Sequence, residues 1–143
     1  MYKIIDKRRL NSQVCRFQIE APEIAAKAKP GQFVVIRIDQ TGERIPLTVF
    51  EADKTKGAIT IIFQEVGTTT LKLGRAKPGC ELMDVIGPLG RPTHIEKFGK
   101  VLCVGGGVGA AEVYPGAKAL KKNRQRSYGN HRRQDKRAYY IGE

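Results

Sequence analysis

Along roughly the first ninety residues, short β-rich runs alternate with polar and turn residues, at roughly the spacing expected of an antiparallel barrel or sandwich. The runs fall at residues 2–6, 14–20, 32–37, 47–53, 58–64 and 81–86. Between them stand Ala21-Pro22-Glu23, Lys29-Pro30-Gly31, Gln40-Thr41-Gly42, Lys56-Gly57, Lys77-Pro78-Gly79 and Gly87-Pro88-Leu89-Gly90, all rich in residues that favour turning. This rhythm predicts a mainly β fold, an antiparallel barrel or sandwich. One helical stretch interrupts it at 68–73, where Thr hydroxyls can cap exposed amides and Leu71 and Leu73 supply apolar contacts.

Past Arg91-Pro92 the pattern changes. Lys100-Val101-Leu102-Cys103-Val104 is a continuous apolar run that leads directly into Gly105-Gly106-Gly107-Val108-Gly109. The following 110–122 reads as a helix, although Pro115-Gly116 lies inside it. Because proline is tolerated in a first turn, a start near Val113 is the other possibility. Strand, glycine turn and helix form the opening unit of a doubly wound nucleotide-binding domain. A lone parallel strand needs neighbours for its backbone, so the α/β unit is expected to be incomplete. The predicted division is a β-barrel at 1–93, the start of a nucleotide domain at 98–120 and a tail at 121–143.

A chain of 143 residues is long enough for one domain, or one domain and part of another. The formal charge of +12 suggests a nucleic-acid partner, but it is unevenly spread. Residues 121–143 hold Lys121, Lys122, Arg124, Arg126, Arg132, Arg133, Lys136 and Arg137 against Asp135 and Glu143, half of the excess. Elsewhere the signs are interspersed as on an ordinary surface. The competing reading is a small basic nucleic-acid-binding module without cofactor, its Tyr128, Tyr139 and Tyr140 stacking on bases. No stretch reaches the roughly 18–20 apolar residues of a membrane span, and the charged Met1-Tyr2-Lys3-Ile4-Ile5-Asp6 does not read as a signal core. A cytoplasmic protein with no membrane partner is therefore expected. Cys15, Cys80 and Cys103 are widely separated, which fits buried or half-buried thiols rather than a disulfide framework or metal site. His94 and His131 have no companion ligands nearby and read as surface residues.

Three segments carry candidate chemistry. The cluster Gly105, Gly106, Gly107, Val108 and Gly109 allows a sharp turn and a close backbone approach to a diphosphate at a helix N-terminus, or is simply a tight turn. In Arg44-Ile45-Pro46-Leu47-Thr48 the guanidinium offers a fork to phosphate, proline holds the segment extended and the hydroxyl can reach a ring nitrogen. Taken alone, that arginine is equally an ordinary solvated charge. Phe63-Gln64-Glu65-Val66-Gly67-Thr68-Thr69-Thr70 places glycine and hydroxyls at a strand-to-helix junction, suited to phosphate or to plain capping.

These segments resemble, in order and spacing, the ferredoxin-NADP reductase-like superfamily, with Gly87-Pro88-Leu89-Gly90 between barrel and nucleotide domain. More narrowly, ERIPLT (43–48), IIFQEVGTTT (61–70), DVIGPLG (84–90) and EKFGKVLCVGGGVG (96–109) resemble the FAD/NAD-binding subunits of NADH-dependent ferredoxin:NADP oxidoreductases. That group is also named sulfide dehydrogenase beta subunit and is related to the electron-transfer subunit of dihydroorotate dehydrogenase. The resemblance covers about residues 1–120. It implies flavoprotein electron transfer between NAD(P)H and ferredoxin or a larger iron-sulfur or flavin subunit. Arg44, Pro46, Leu47 and Thr48 would then contact FAD, with Thr48 near the isoalloxazine ring. Phe63 and Gln64 would flank the cofactor, Gly67, Thr69 and Thr70 would hold its diphosphate, and Gly105, Gly106, Gly107, Val108 and Gly109 would lie under the nicotinamide nucleotide. No side chain is assigned an acid or base role, because the flavin itself carries the redox chemistry.

Two features depart from that pattern. Glu112 stands where related glycine loops often continue with proline, and its carboxylate would repel a diphosphate. The remaining nucleotide domain and the cysteine ligands of a [2Fe-2S] cluster are not in this chain, so its own turnover is in question. The tail also lacks the family's pattern. Back-translated and read one nucleotide further on, 121–143 permits RKTGNEVMAIIGAKTKELIILE, which contains the turn and apolar strand expected after the first helix. A change of reading frame near Leu120 is therefore expected, with the written tail adventitious or poorly ordered.

Overall fold

The computed structural model describes residues 1–123 together with the backbone of two strands at 127–129 and 136–141. Strands β1 (Tyr2–Arg9), β2 (Val14–Glu20), β3 (Phe33–Arg37), β4 (Ile45–Asp53), β5 (Ala58–Gln64), β6 (Glu81–Leu82) and β7 (Asp84–Leu89) form one antiparallel sheet in the order β6-β1-β2-β5-β4-β3-β7. The single strand expected at 81–86 is in fact two, divided at Met83. β6 pairs with β1 at one edge of the sheet and β7 pairs with β3 at the other. The chain thus crosses from edge to edge within a few residues, and the sheet nearly closes into a barrel, which leaves little open edge.

The inward side chains follow the period of two. Ile4, Phe17, Ile19, Val34, Ile36, Ile59, Ile61 and Leu82 are almost fully buried. At the centre the Phe17 and Phe63 rings meet edge to face, with centroids 5.1 Å apart at 86°. Each large side chain moved from water into this interior contributes about 1.5–3 kcal/mol.

Other departures from the expected elements have local causes. Ala21-Pro22-Glu23, read as a turn, opens the short helix α1 (Pro22–Lys27), because proline is well placed at the start of a helix. This helix buries Ile24 and Ala25. β1 continues through charged Asp6–Arg9 because those residues find partners: Arg16 on Asp6 at 2.9 Å, and Arg9 forked on Glu65 at 2.9 and 3.0 Å. Lys7 donates to the Gly74 and Ala76 carbonyls, at 2.5 and 2.9 Å, where helix α2 (Thr68–Arg75) ends. Gly87-Pro88-Leu89, expected as a turn, belongs to β7 and contains a cis Gly87–Pro88 peptide bond.

After the barrel, β8 (Val101–Gly106) leads into α3 (Gly109–Lys122). The helix begins at Gly109, earlier than either expected start, and runs through Pro115 to Lys122, into the segment read as tail. Cys103, Ala117 and Leu120 form a small core between strand and helix. β8 pairs antiparallel with β10 (Lys136–Ile141), which pairs with β9 (Ser127–Gly129). The side chains of the basic tail from residue 124 on, including His131 and the tyrosines of the nucleic-acid reading, lie outside the described residues.

Candidate functional site

The sequence-predicted segments at 44–48 and 67–70 come together in space although they lie far apart in the chain. α2 follows β5 after a short link, and its first turn leaves the Thr68, Thr69 and Thr70 amides without acceptors inside the helix. The Thr70 hydroxyl accepts from the Val66 and Gly67 amides at 3.1 and 3.0 Å, which fixes the approach to the helix. The Thr69 hydroxyl donates to the Glu43 carboxylate at 3.2 Å, and Lys72 pairs with Asp39 at 2.5 Å. Both bonds hold the start of α2 against the β3–β4 turn, directly before Arg44.

Register places the other members on one face. Across β4 and β3, Thr48 lies opposite Phe33, Leu47 opposite Val34 and Pro46 opposite Val35; across β3 and β7, Val35 lies opposite Ile86 and Arg37 opposite Asp84. Val34 and Ile36 are buried and face the core, as does Leu47 opposite Val34. Pro46, Thr48, Phe33, Val35, Ile86, Arg37 and Asp84 therefore share the outer face. Ile86 is 47% exposed there. An apolar strip is thus bordered by charge, since Asp84 is approached by Arg44 at 3.5 Å and by Arg37 at 3.7 Å. Arg37 Nε is buried and has no hydrogen-bond acceptor among the described residues. Apolar strip, hydroxyl, guanidinium donors and free helix amides together suit a ligand with a flat ring system and phosphates, so these residues fit FAD.

The glycine loop divides by role. A Cβ on Gly105 would come within 2.7 Å of the Ala110 Cα, so this glycine lets α3 fold back on β8. Gly107 has φ +54°, a left-handed conformation that glycine adopts freely. A Cβ at Gly106 or Gly109 would meet nothing within 4 Å among the described residues. Glu112 is exposed in the first turn of α3. The Tyr114 ring stacks on Phe50 of β4, centroids 4.6 Å apart at 12°, and Lys118 pairs with Glu51 at 2.5 Å. These contacts fasten α3 to the strand that carries Thr48.

Two of the expected residues act otherwise than as open ligand contacts. The Phe63 ring fills the barrel core and is 2% exposed, so what it can offer a ligand is its backbone. The Leu47 side chain likewise packs on the core. Gln64, half-buried at the end of β5, bonds the Gln13 side chain at 3.3 Å. The motifs alone did not mark Glu43, Arg37 and Asp84. Glu43 and Asp84 stand within the quoted phrases ERIPLT and DVIGPLG, yet their partners are visible only once the strands are paired.

Of the cysteines, Cys15 and Cys103 are buried and Cys80 is exposed. Burial pushes both the Cys15 and the Cys103 thiol up, with Glu65 adding to the effect at Cys15, so both stay protonated at neutral pH. Among the described residues, no group of three or more His, Cys, Asp or Glu is placed to hold a metal ion, and no helix is long and apolar enough to cross a membrane.

No protein-family model matches the chain. The dihydroorotate dehydrogenase B (NAD(+)) electron transfer subunit homolog of Thermotoga maritima is 48% identical over 120 residues, 84% of this chain and 43% of that protein. The electron transfer subunit of the same name from Desulforamulus reducens is 38% identical over 100 residues, 67% of this chain and 38% of that protein. The chain therefore spans less than half the length of these curated relatives. Among solved structures, a chain of an NADH-dependent reduced ferredoxin-NADP oxidoreductase, studied for flavin-based electron bifurcation, matches at TM-score 0.86 and 45% identity over 88% of this chain and 46% of that one. The ferredoxin reductase of carbazole 1,9a-dioxygenase shares the fold, at TM-score 0.74 and 21% identity over 87% of this chain and 39% of that one. The nearly closed antiparallel barrel, the ordered motifs along it and these likenesses agree: the chain belongs to the ferredoxin reductase-like superfamily and is a homologue of electron transfer subunits of NAD-dependent oxidoreductases.

Proposed function

We propose that the barrel holds FAD along the outer face of β3, β4 and β7, with the cofactor's phosphates at the start of α2, and that the glycine loop before α3 receives the diphosphate of NAD(P)H. In this reading the chain is the flavin-binding part of a cytosolic unit that passes electrons between NAD(P)H and ferredoxin or a larger iron-sulfur or flavin subunit. The observation that carries it is the meeting of two distant segments, in which Thr69 of α2 bonds Glu43 beside Arg44.

Each residue then has a physical task. Arg44 offers two parallel donors to a phosphate, and the Thr48 hydroxyl can donate to or accept from the edge of a ring lying on Pro46. Leu47 and Phe63 hold the strands that present these groups by filling the core behind them. The Thr69 hydroxyl and the helix-start amides of Thr69 and Thr70 meet phosphate oxygens, Gly67 leaves their approach clear of a side chain, and Gln64 lies just ahead of them on β5. Gly105, Gly106, Gly107, Val108 and Gly109 give a second diphosphate a backbone surface without side chains. FAD held by these residues would itself supply the hydride and single-electron chemistry, so the surrounding side chains need only bind, orient and tune.

Reconstitution tests this. The purified chain, incubated with FAD and passed through a desalting column, is expected to emerge yellow with flavin absorbance bands. Arg44→Ala is expected to weaken binding about 10- to 100-fold, the worth of a charged hydrogen bond. A colourless eluate at FAD concentrations near 0.1 mM (roughly, the weak end of cofactor affinities) would sink the reading, and retardation of nucleic acid by that colourless protein would favour a basic binding module instead.

A further inference from the structure

Two of the groups assigned to phosphate, and a lysine beside them, are already occupied by the protein's own carboxylates. Arg44 leans on Asp84 at 3.5 Å, Lys72 on Asp39 at 2.5 Å, and the Thr69 hydroxyl donates to Glu43 at 3.2 Å. These three carboxylates are not equivalent. Asp84 retains Arg37 when Arg44 turns away, and Asp39 holds Lys72 one turn further along α2, with the Thr41 amide and hydroxyl also donating to it at 3.1 and 2.9 Å. Among the described residues Glu43 is held by its one hydrogen bond to Thr69, and it is exposed in the β3–β4 turn.

A carboxylate oxygen accepting from Thr69 sits where a phosphate oxygen would accept, and two anions cannot share that donor. Their repulsion at about 4 Å amounts to roughly fivefold in affinity even in water, and more where the site is partly shielded. We propose that Glu43 is an internal competitor for the phosphate position: it occupies Thr69 in the free barrel, must swing out when a phosphorylated flavin enters, and so sets the affinity and phosphate selectivity of the site. This rests on the flavin-binding reading above.

The experiment titrates the full chain with FAD, FMN and riboflavin and follows quenching of flavin fluorescence. The proteins are the unmodified chain, Glu43→Gln, Glu43→Ala and a charge-matched control, Glu81→Gln, on β6 at the other edge of the sheet. Expected is about tenfold tighter binding of FAD and FMN by both Glu43 variants, unchanged riboflavin binding, and no effect of Glu81→Gln. If the Glu43 variants bind FAD no more tightly than the unmodified chain, or tighten riboflavin equally, the competitor role is overturned while flavin binding stands. If Glu81→Gln tightens FAD binding as much, the effect is overall charge and the competitor role is again overturned. If no protein in the set quenches any flavin, both the role and the flavin reading fall.

Discussion

The barrel and the β8–α3 unit bury their side chains in different ways. The barrel encloses its own core, with Phe17, Phe63, Ile36, Ile59, Ile61 and Leu73 no more than 2% exposed. The β8–α3 unit buries Cys103, Ala117 and Leu120, while Leu102 and Val104 on the other face of β8 remain 61% and 65% exposed. Part of its order is borrowed from the barrel through the Phe50–Tyr114 stack and the Glu51–Lys118 pair. A nearly closed sheet leaves little edge unpaired and encloses its interior, whereas β8 and α3 cover only one face of each other. The groups proposed to bind flavin therefore stand on a self-sufficient scaffold, and the glycine loop on a dependent one.

The largest expected effect comes from breaking the scaffold. Phe63→Ala removes the edge-to-face partner of Phe17 and is expected to cost about 3–5 kcal/mol, visible as a large fall in the thermal midpoint of the whole barrel. Gly105→Ala drives a Cβ against the Ala110 backbone. It is expected to cost about 1–3 kcal/mol, confined to the second unit: hydrogen exchange rises in β8 and α3 while the barrel midpoint holds. A barrel that melted early in Gly105→Ala would show that the two regions are not separable. Tyr114→Ala deletes the stack on Phe50, worth about 0.5–1.5 kcal/mol beyond its buried area. Proteolysis within α3 is expected to speed up, with barrel strands still protected.

The smallest effect is a pH slope. Arg9 holds the Glu65 carboxyl below the usual carboxylate range, chiefly through their hydrogen bond. The folded barrel keeps Glu65 ionised at pH values where the unfolded chain has begun to take up a proton there. Its contribution is whole at neutral pH, declines below the ordinary glutamate value of about 4.3, and is gone once pH falls below the lowered folded value. Glu65→Gln is expected to flatten acid unfolding in that window. An identical slope in the variant would remove Glu65 from the account.

Much of this was legible in the sequence, and what was not has physical reasons. Strand 14–20 is legible at its true bounds because alternation is cleanest where one side chain in two meets the core, and strand 58–64, buried along most of its length, because a turn precedes its apolar run. β1 was cut short at Asp6 because its charged continuation is paid no heed by a hydrophobic pattern, although Lys7 and Arg9 find partners more than fifty residues away. The break at Met83 was hidden because alternation shows which face a residue takes and not which neighbour a strand chooses. Phe63 was read as a flavin neighbour from its place in a motif, while its inward parity along β5 assigns it to the core. The candidate site was legible as motifs but not as charges: the Glu43–Thr69 bond joins residues 26 apart, and nothing local marks the pair.

The central claim is that the barrel's outer face and the start of α2 form one flavin site. It is tested most directly by backbone amide NMR of the chain during an FAD titration. The account predicts saturable shifts concentrated at 43–48 and 66–70, with residues of α1 and β6 unmoved. Shifts absent from both segments, or centred elsewhere on the barrel, would contradict it.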